Sequence, residues 1–194
     1  KGEEKMQYEL EFPCKKEDLA PLRAGDTVLV SGTIYTARDA AHKRMTELLE
    51  EGKPLPFELE GSAVYYVGPT PEKPGQVIGS AGPTTSGRMD AYAPRLLDLG
   101  LAAMIGKGAR SPAVKEAVVR NGAVYLAALG GAGALMSGSV RELEIIAWPD
   151  LGCEAVRRLR VEKMPLTVIL DTQGGDLYQS GPAAYLASLG SSQG

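Results

Sequence analysis

Residues 101–129 narrow the fold more than any other part of this sequence. "LAAMIG" (101–106) is a short apolar run, "SPAVKEAVVRNG" (111–122) has helical spacing, and "AVYLAAL" (123–129) is apolar again. Ser111 stands where an N-cap belongs, Pro112 fits the first helical position, and Gly122 closes the helix. Alternation of this kind continues on both sides. "QVIGSAGP" (76–83) reads as a short strand, "RMDAYAPRLLDLG" (88–100) as a helix bent near Pro94, and "VRELEIIAW" (140–148) as a strand. Strands with helices between them imply an α/β domain with a mixed sheet, layered rather than simply doubly wound.

The flanks are richer in strands. "YELEF" (8–12) alternates polar and apolar residues, and "GDTVLVSGTIYT" (25–36) reads as one or two strands bending near Gly32. "ARDAAHKRMTELLEEG" (37–52) reads as a helix, with Thr36 as N-cap, Asp39 three residues later as in a capping box, and Gly52 at its end. "SAVYYVGP" (62–69) is a strand and "TPEKPG" (70–75) a turn. "GGAGALMSG" (130–138) is a glycine-rich loop or short helix, and "DLGCEAVRRLRVE" (150–162) contains a short helix. "LTVILDTQGGDLY" (166–178) reads as a hairpin about Gln173-Gly174-Gly175, with Asp171 and Asp176 as turn residues. "PAAYLASLG" (182–190) has helical spacing. No repeat or linker divides the chain, so a single domain over 1–194 is expected, frayed at "KGEEK" and "GSSQG".

The net charge of −3 argues against a nucleic-acid partner. The longest run of small apolar residues, "GAVYLAALGGAGALMSG" (122–138), is broken by glycines and too short to span a bilayer, so neither a membrane segment nor a signal peptide is expected. Cys14 and Cys153 are the only cysteines and lie far apart. They form no metal-ligand set and suit a reducing, cytoplasmic setting.

Three loops gather groups that suit an anion: "TARDAAHKR" (36–44), "GPTTSGRMD" (82–90) and "GKGARS" (106–111). Each follows an expected strand. The first two place Arg38 and Arg88 in the first turns of expected helices, where a cation opposes the helix dipole unless a bound anion offsets it. With Lys107 between two glycines, they outline a site for a small polyanion, since arginine forks suit carboxylates and phosphates. The plainer reading is that each arginine is solvated or pairs with Asp39 or Asp90, and that "GKG" is only a turn. His42 lies four residues after Arg38 on the same helical face; it is either a structural histidine or a member of the site. "GGAGALMSG" lacks dinucleotide-loop spacing, and one histidine without a nucleophile elbow excludes a Ser/His/Asp triad.

These three loops, with "AVYLAALGGAGALM" and "DLGCEAVRRLRVEKMPLTVILDTQGGDLY", resemble in order the β portion of class I, iron–sulfur-dependent fumarases and L(+)-tartrate dehydratases, over residues 25–178. The resemblance implies a swivelling β/β/α fold. It implies a partner α subunit that carries a [4Fe–4S] cluster, an assembly such as α2β2, and a C4 dicarboxylate bound between the two parts. It assigns Arg38, Arg88 and Lys107 to the substrate carboxylates and Thr84 to removal of the C3 proton of malate. Apart from the resemblance, His42, Asp39 and Thr85 stand in the same loops as secondary candidates. The resemblance implies no metal ligand in this chain. Fumarate hydration is the first expected activity and tartrate dehydration the alternative. A non-catalytic interaction module and a phosphate-binding protein that works alone are the rivals from other classes.

Overall fold

The computed structural model describes residues 4–128 and 133–182. Its strands are β1 (Gln7–Phe12), β2 (Thr27–Thr36), β3 (Ala63–Tyr65), β4 (Ala103–Gly106), β5 (Val124–Ala127), β6 (Val140–Ala147) and β7 (Val156–Leu170). They form one seven-stranded sheet in the order β1-β2-β3-β4-β5-β7-β6, and β2 also pairs with β7. The extra pairing closes a ring through β2, β3, β4, β5 and β7. Within the ring β2 to β5 run parallel, and β7 runs antiparallel to β2 and β5. β1 lies parallel beside the first half of β2, and β6 antiparallel beside the first half of β7.

Period-two alternation builds the layers. Ala63, Tyr65, Ala103, Ile105, Val124 and Leu126 join the apolar cluster that also takes Val28, Leu159 and Val168. Their neighbours Val64, Tyr66, Met104, Tyr125 and Ala127 join the other cluster, with the helices. Those helices are α2 (Asp39–Glu50), α3 (Ala93–Asp98) and α4 (Pro112–Asn121), numbered after α1 (Lys16–Leu19) and before α5 (Gly133–Gly138). Successive strand side chains point to opposite faces, and β3, β4 and β5 are buried on both. Hence their runs read as continuously apolar. The result is the expected layered β/β/α architecture with a mixed sheet.

The local signals of α4 hold: Ser111 Oγ accepts the Val114 N–H at 3.4 Å, Pro112 opens the helix, and Gly122 ends it with φ +61°. Elsewhere the structure corrects the sequence reading. The 76–83 segment is not a strand. It is the end of a long bent loop in which the Thr70 N–H donates to the Ser80 carbonyl and the Ser80 N–H to Thr70 Oγ1. Thr36 does not cap α2. Its hydroxyl accepts the Arg157 N–H at 3.0 Å and donates to the Ala155 carbonyl, and Arg38 takes the cap position with extended backbone. Residues 88–100 form two pieces, a 3-10 turn (Ser86–Met89) and α3. In 150–162 the helix is a 3-10 turn (Pro149–Glu154), and β7 already begins at Val156.

The expected hairpin keeps its turn and loses its second strand. Asp171 Oδ1 accepts the N–H groups of Gln173 and Gly175, one bridge joins Leu170 to Asp176, and residues 177–182 are helical. Asp171 and Asp176 are thus turn residues, as expected. All but the first residue of the 182–190 segment lies outside the described residues. No helix among the described residues is long and apolar enough to cross a membrane.

Candidate functional site

Parallel strands bring their carboxyl ends to one edge, and in α/β sheets that edge is where ligands bind. Arg38 follows β2, Tyr66–Gly68 follow β3, and Lys107 follows β4. The 82–90 loop reaches the same edge by an insertion. β3 and β4 exchange a last bond where the Tyr66 N–H donates to the Ile105 carbonyl at 2.8 Å. Beyond that point the strands part and residues 84–86 enter between them. The Thr84 N–H donates to the Tyr66 carbonyl at 2.8 Å, and the Ser86 N–H donates to the Lys107 carbonyl at 2.8 Å. Thr85 and Lys107 form a parallel bridge. The close approach needs a glycine: a Cβ at Gly106 would lie 2.0 Å from Ser86 Oγ. Thr84 is half-buried, whereas Thr85 and Lys107 are exposed.

The two arginines differ in their partners. Arg88 pairs with Asp39 at 2.5 Å, across from the loop to the start of α2. Its side chain is 57% exposed, so the pair stabilises little, about 0–1 kcal/mol. Arg38 has no ion-pair partner among the described residues, and its Nε is buried without a hydrogen-bond acceptor. Its guanidinium lies across Gly68, where a Cβ would sit 2.8 Å from Nη1. A half-buried cation left unpaired is costly unless an anion joins it.

Helix dipoles do not make this site. Glu154 Oε1 already accepts the Ala40 N–H at the start of α2. Asp90 Oδ2 accepts the Ser111 N–H at the start of α4, at 2.6 Å. Arg88 lies in a short 3-10 turn, not in the first turn of an α-helix. The attraction for an anion therefore rests on side-chain charge. Arg38, Arg88 and Lys107 stand at this edge against the carboxylates of Asp39 and Glu154, which leaves a net positive charge.

His42 is buried within α2 with Tyr66 and Tyr92 as ring neighbours. Its Nδ1 lies 2.8 Å from the Arg38 carbonyl, which can only accept, so Nδ1 carries the proton. Nε2 is buried without a partner. Burial pushes the imidazole down to about 4, with the Arg110 charge assisting and the bond to the Arg38 carbonyl opposing. His42 thus anchors the turn that carries Arg38 and stays neutral. Between the ordinary value of 6.5 and about 4, the unfolded chain binds a proton that the folded chain refuses. Stability from this group is complete above that window and falls as pH drops through it, by about 2–3 kcal/mol. Urea unfolding at pH 7 and pH 4.5 is expected to show this loss, and a His42→Asn variant a correspondingly smaller one. Equal losses in the two proteins would contradict it.

Sequence reasoning missed the support beneath the loops. Arg110 is fully buried, with Nε 2.7 Å from Asp90 Oδ1 and Nη2 3.2 Å from the Tyr66 hydroxyl. Its guanidinium lies 5.2 Å from the Tyr66 ring centre and 4.8 Å from that of Tyr125. Each such desolvated contact contributes about 2 kcal/mol. Arg110 and Asp90 stood in the quoted motifs, but the two tyrosines that enclose the cation looked like plain strand core.

The family model described as Fumarase C-terminus matches residues 1–181. The chain is 36% identical over 177 residues to fumarate hydratase 2 of Leishmania major, covering 89% of this chain and 31% of that protein. It is 36% identical over 180 residues to the anaerobic class I fumarate hydratase of Escherichia coli, covering 91% and 33%. It is 39% identical over 180 residues to a putative L(+)-tartrate dehydratase subunit beta of Methanocaldococcus jannaschii, covering 90% and 92%. The chain thus spans about a third of these fumarate hydratases and nearly all of the tartrate dehydratase subunit. A family model that matches almost the whole length leaves one assignment: the chain belongs to the fumarase C-terminal family.

Proposed function

We propose that this chain is the β part of a hydro-lyase that interconverts fumarate and (S)-malate, completed by an α subunit that carries a [4Fe–4S] cluster. The observation that carries the proposal is Arg38, an unpaired, half-buried guanidinium lying across Gly68, at the same strand edge to which the loops of Thr84 and Lys107 are tied. The relative whose length the chain spans nearly completely is named as a subunit, which supports a separate partner.

A cluster needs several thiolates, and this chain's residues do not fit one. Burial, with Asp18 assisting, holds the Cys14 thiol protonated, up to about 12. Cys153 is exposed beside Gly68, while Cys14 lies next to α1. Among the described residues no group of three or more His, Cys, Asp or Glu is arranged for a metal. The cluster in this proposal therefore belongs to the partner.

What this chain contributes is charge and a proton acceptor. Arg38, Arg88 and Lys107 hold the two carboxylates of the substrate. The weak, exposed Asp39 pair lets Arg88 exchange one carboxylate for another at small cost. Removal of the C3 proton of malate builds further negative charge on the adjacent carboxylate. Cations already in place stabilise that charge more than the ground state. Thr84 Oγ accepts the proton in this direction and returns it during hydration. An isolated threonine hydroxyl is far too weakly acidic to exist as an alkoxide, so the base form depends on the nearby positive charge.

The specific observation that favours a second substrate is the 39% identity to the tartrate dehydratase subunit. Tartrate is also a C4 dicarboxylate and needs the same clamp. The test is turnover of malate, fumarate and L-tartrate by the chain reconstituted with its α subunit. Interconversion of malate and fumarate is expected; exclusive turnover of tartrate would overturn the choice of substrate.

A further inference from the structure

We propose that Tyr125 is a positioning residue that fixes the spacing between Thr84 and Lys107 by tying together the two loops that carry them. The inference rests on the site reading above and adds a residue that lies on β5, outside every motif of the site. Tyr125 is fully buried, yet its hydroxyl reaches the loops at two points: Ser86 Oγ at 2.8 Å and the Gly108 carbonyl at 2.9 Å. A carbonyl only accepts, so the phenol donates its single proton to Gly108. Ser86 must then donate its own hydroxyl proton to the phenol oxygen. The chain of bonds is therefore directed, from Ser86 through Tyr125 to Gly108.

Ser86 and Gly108 are each one step from the loops' other tie. The Ser86 N–H donates to the Lys107 carbonyl, and Thr85 bridges Lys107. Thr84 is thus two residues from one end of the phenol bridge, and Lys107 one residue from the other. The ring itself cannot shift, because the Arg110 guanidinium packs against its face and Asp90 and Tyr66 hold that guanidinium. Nor can Ser86 move toward β4, since its Oγ occupies the space that a side chain at Gly106 would fill. A rigid strand thus sets the distance between proton acceptor and cation, so that neither loop has to define it alone.

Tyr125→Phe removes the hydroxyl and keeps the ring against Arg110. In the reconstituted complex, kcat for malate is expected to fall about 10- to 100-fold, the effect of a displacement of about 1 Å in a reacting group. KM is expected to change only a few-fold, because Arg38 and Arg88 stay in place and Lys107 alone of the clamp is loosened. Ser86→Ala should give a similar fall, and the double variant no more than the larger single one, because both break one chain of bonds. An unchanged kcat in Tyr125→Phe, a loss confined to KM, or two effects that multiply would overturn the proposal. Hydrogen exchange of the Ser86 amide in the same complex reads the tie without turnover. Faster exchange in Tyr125→Phe supports it and unchanged exchange overturns it, even if the wild-type complex turns over no dicarboxylate and the functional reading itself fails.

Discussion

Replacement of Arg38 by alanine is expected to lower kcat/KM for malate by about 10³-fold in the reconstituted enzyme. A bidentate pair between guanidinium and carboxylate supplies two charge-assisted hydrogen bonds, each about 1.5–3 kcal/mol. Their loss together converts to roughly that factor. Arg38 is the arginine for which so large an effect is expected, since it has no ion-pair partner to release among the described residues. Arg88 begins from its pair with Asp39, so part of its interaction with substrate replaces one already made. Arg38→Lys keeps the charge but loses the fork, and recovery of only part of the activity is expected. Steady-state kinetics on malate and fumarate decide. A loss below tenfold in Arg38→Ala would remove Arg38 from the clamp.

The contrast between the two arginines also shows what the sequence carried. Their presence in loops after strands was legible, and so was the choice of a carboxylate partner for Arg88. Which carboxylate was not: Asp39 is 49 positions from Arg88, and only the closure of the sheet brings α2 beside the 3-10 turn. Helix dipoles are not open to an anion for a related reason. The N–H groups at the starts of α2 and α4 are taken by Glu154 and Asp90, which are also distant in sequence. What survives is the cationic character of the strand edge, reached by a different physical route.

For the fold, local chemistry was enough where caps were complete, as at Ser111, Pro112 and Gly122. It fell short over residues 150–162, where the expected short helix is a 3-10 turn and β7 takes the rest from Val156. The decisive signal there is period two, with Leu159 and Val161 buried and Arg158 and Arg160 exposed. Arg158 and Arg160 face Glu144 and Glu142 on β6, so these charges form a ladder between strands. The alternation slips at Lys163, which adopts φ +48°, and the slip hides the length of the strand from a pattern search. Arg110 was hidden by burial. Nothing local distinguishes an arginine enclosed by Tyr66 and Tyr125 from one on the surface, because its environment comes from two separate strands.

Thr84 is where chemistry and fold meet. Its backbone is fixed between β3 and β4 by the Tyr66 carbonyl and the Lys107 bridge, so a shorter side chain at this position leaves the backbone ties in place. Thr84→Ala therefore removes a hydroxyl and a methyl while leaving the three cations where they are. A positioned general base contributes about 10²–10⁴-fold to proton transfer. The direct test is kcat and KM for malate of the Thr84→Ala complex, with wild-type α subunit and full cluster content. The account predicts a fall in kcat of at least about 10²-fold with KM changed only a few-fold. Dehydration of malate at the wild-type rate would contradict it.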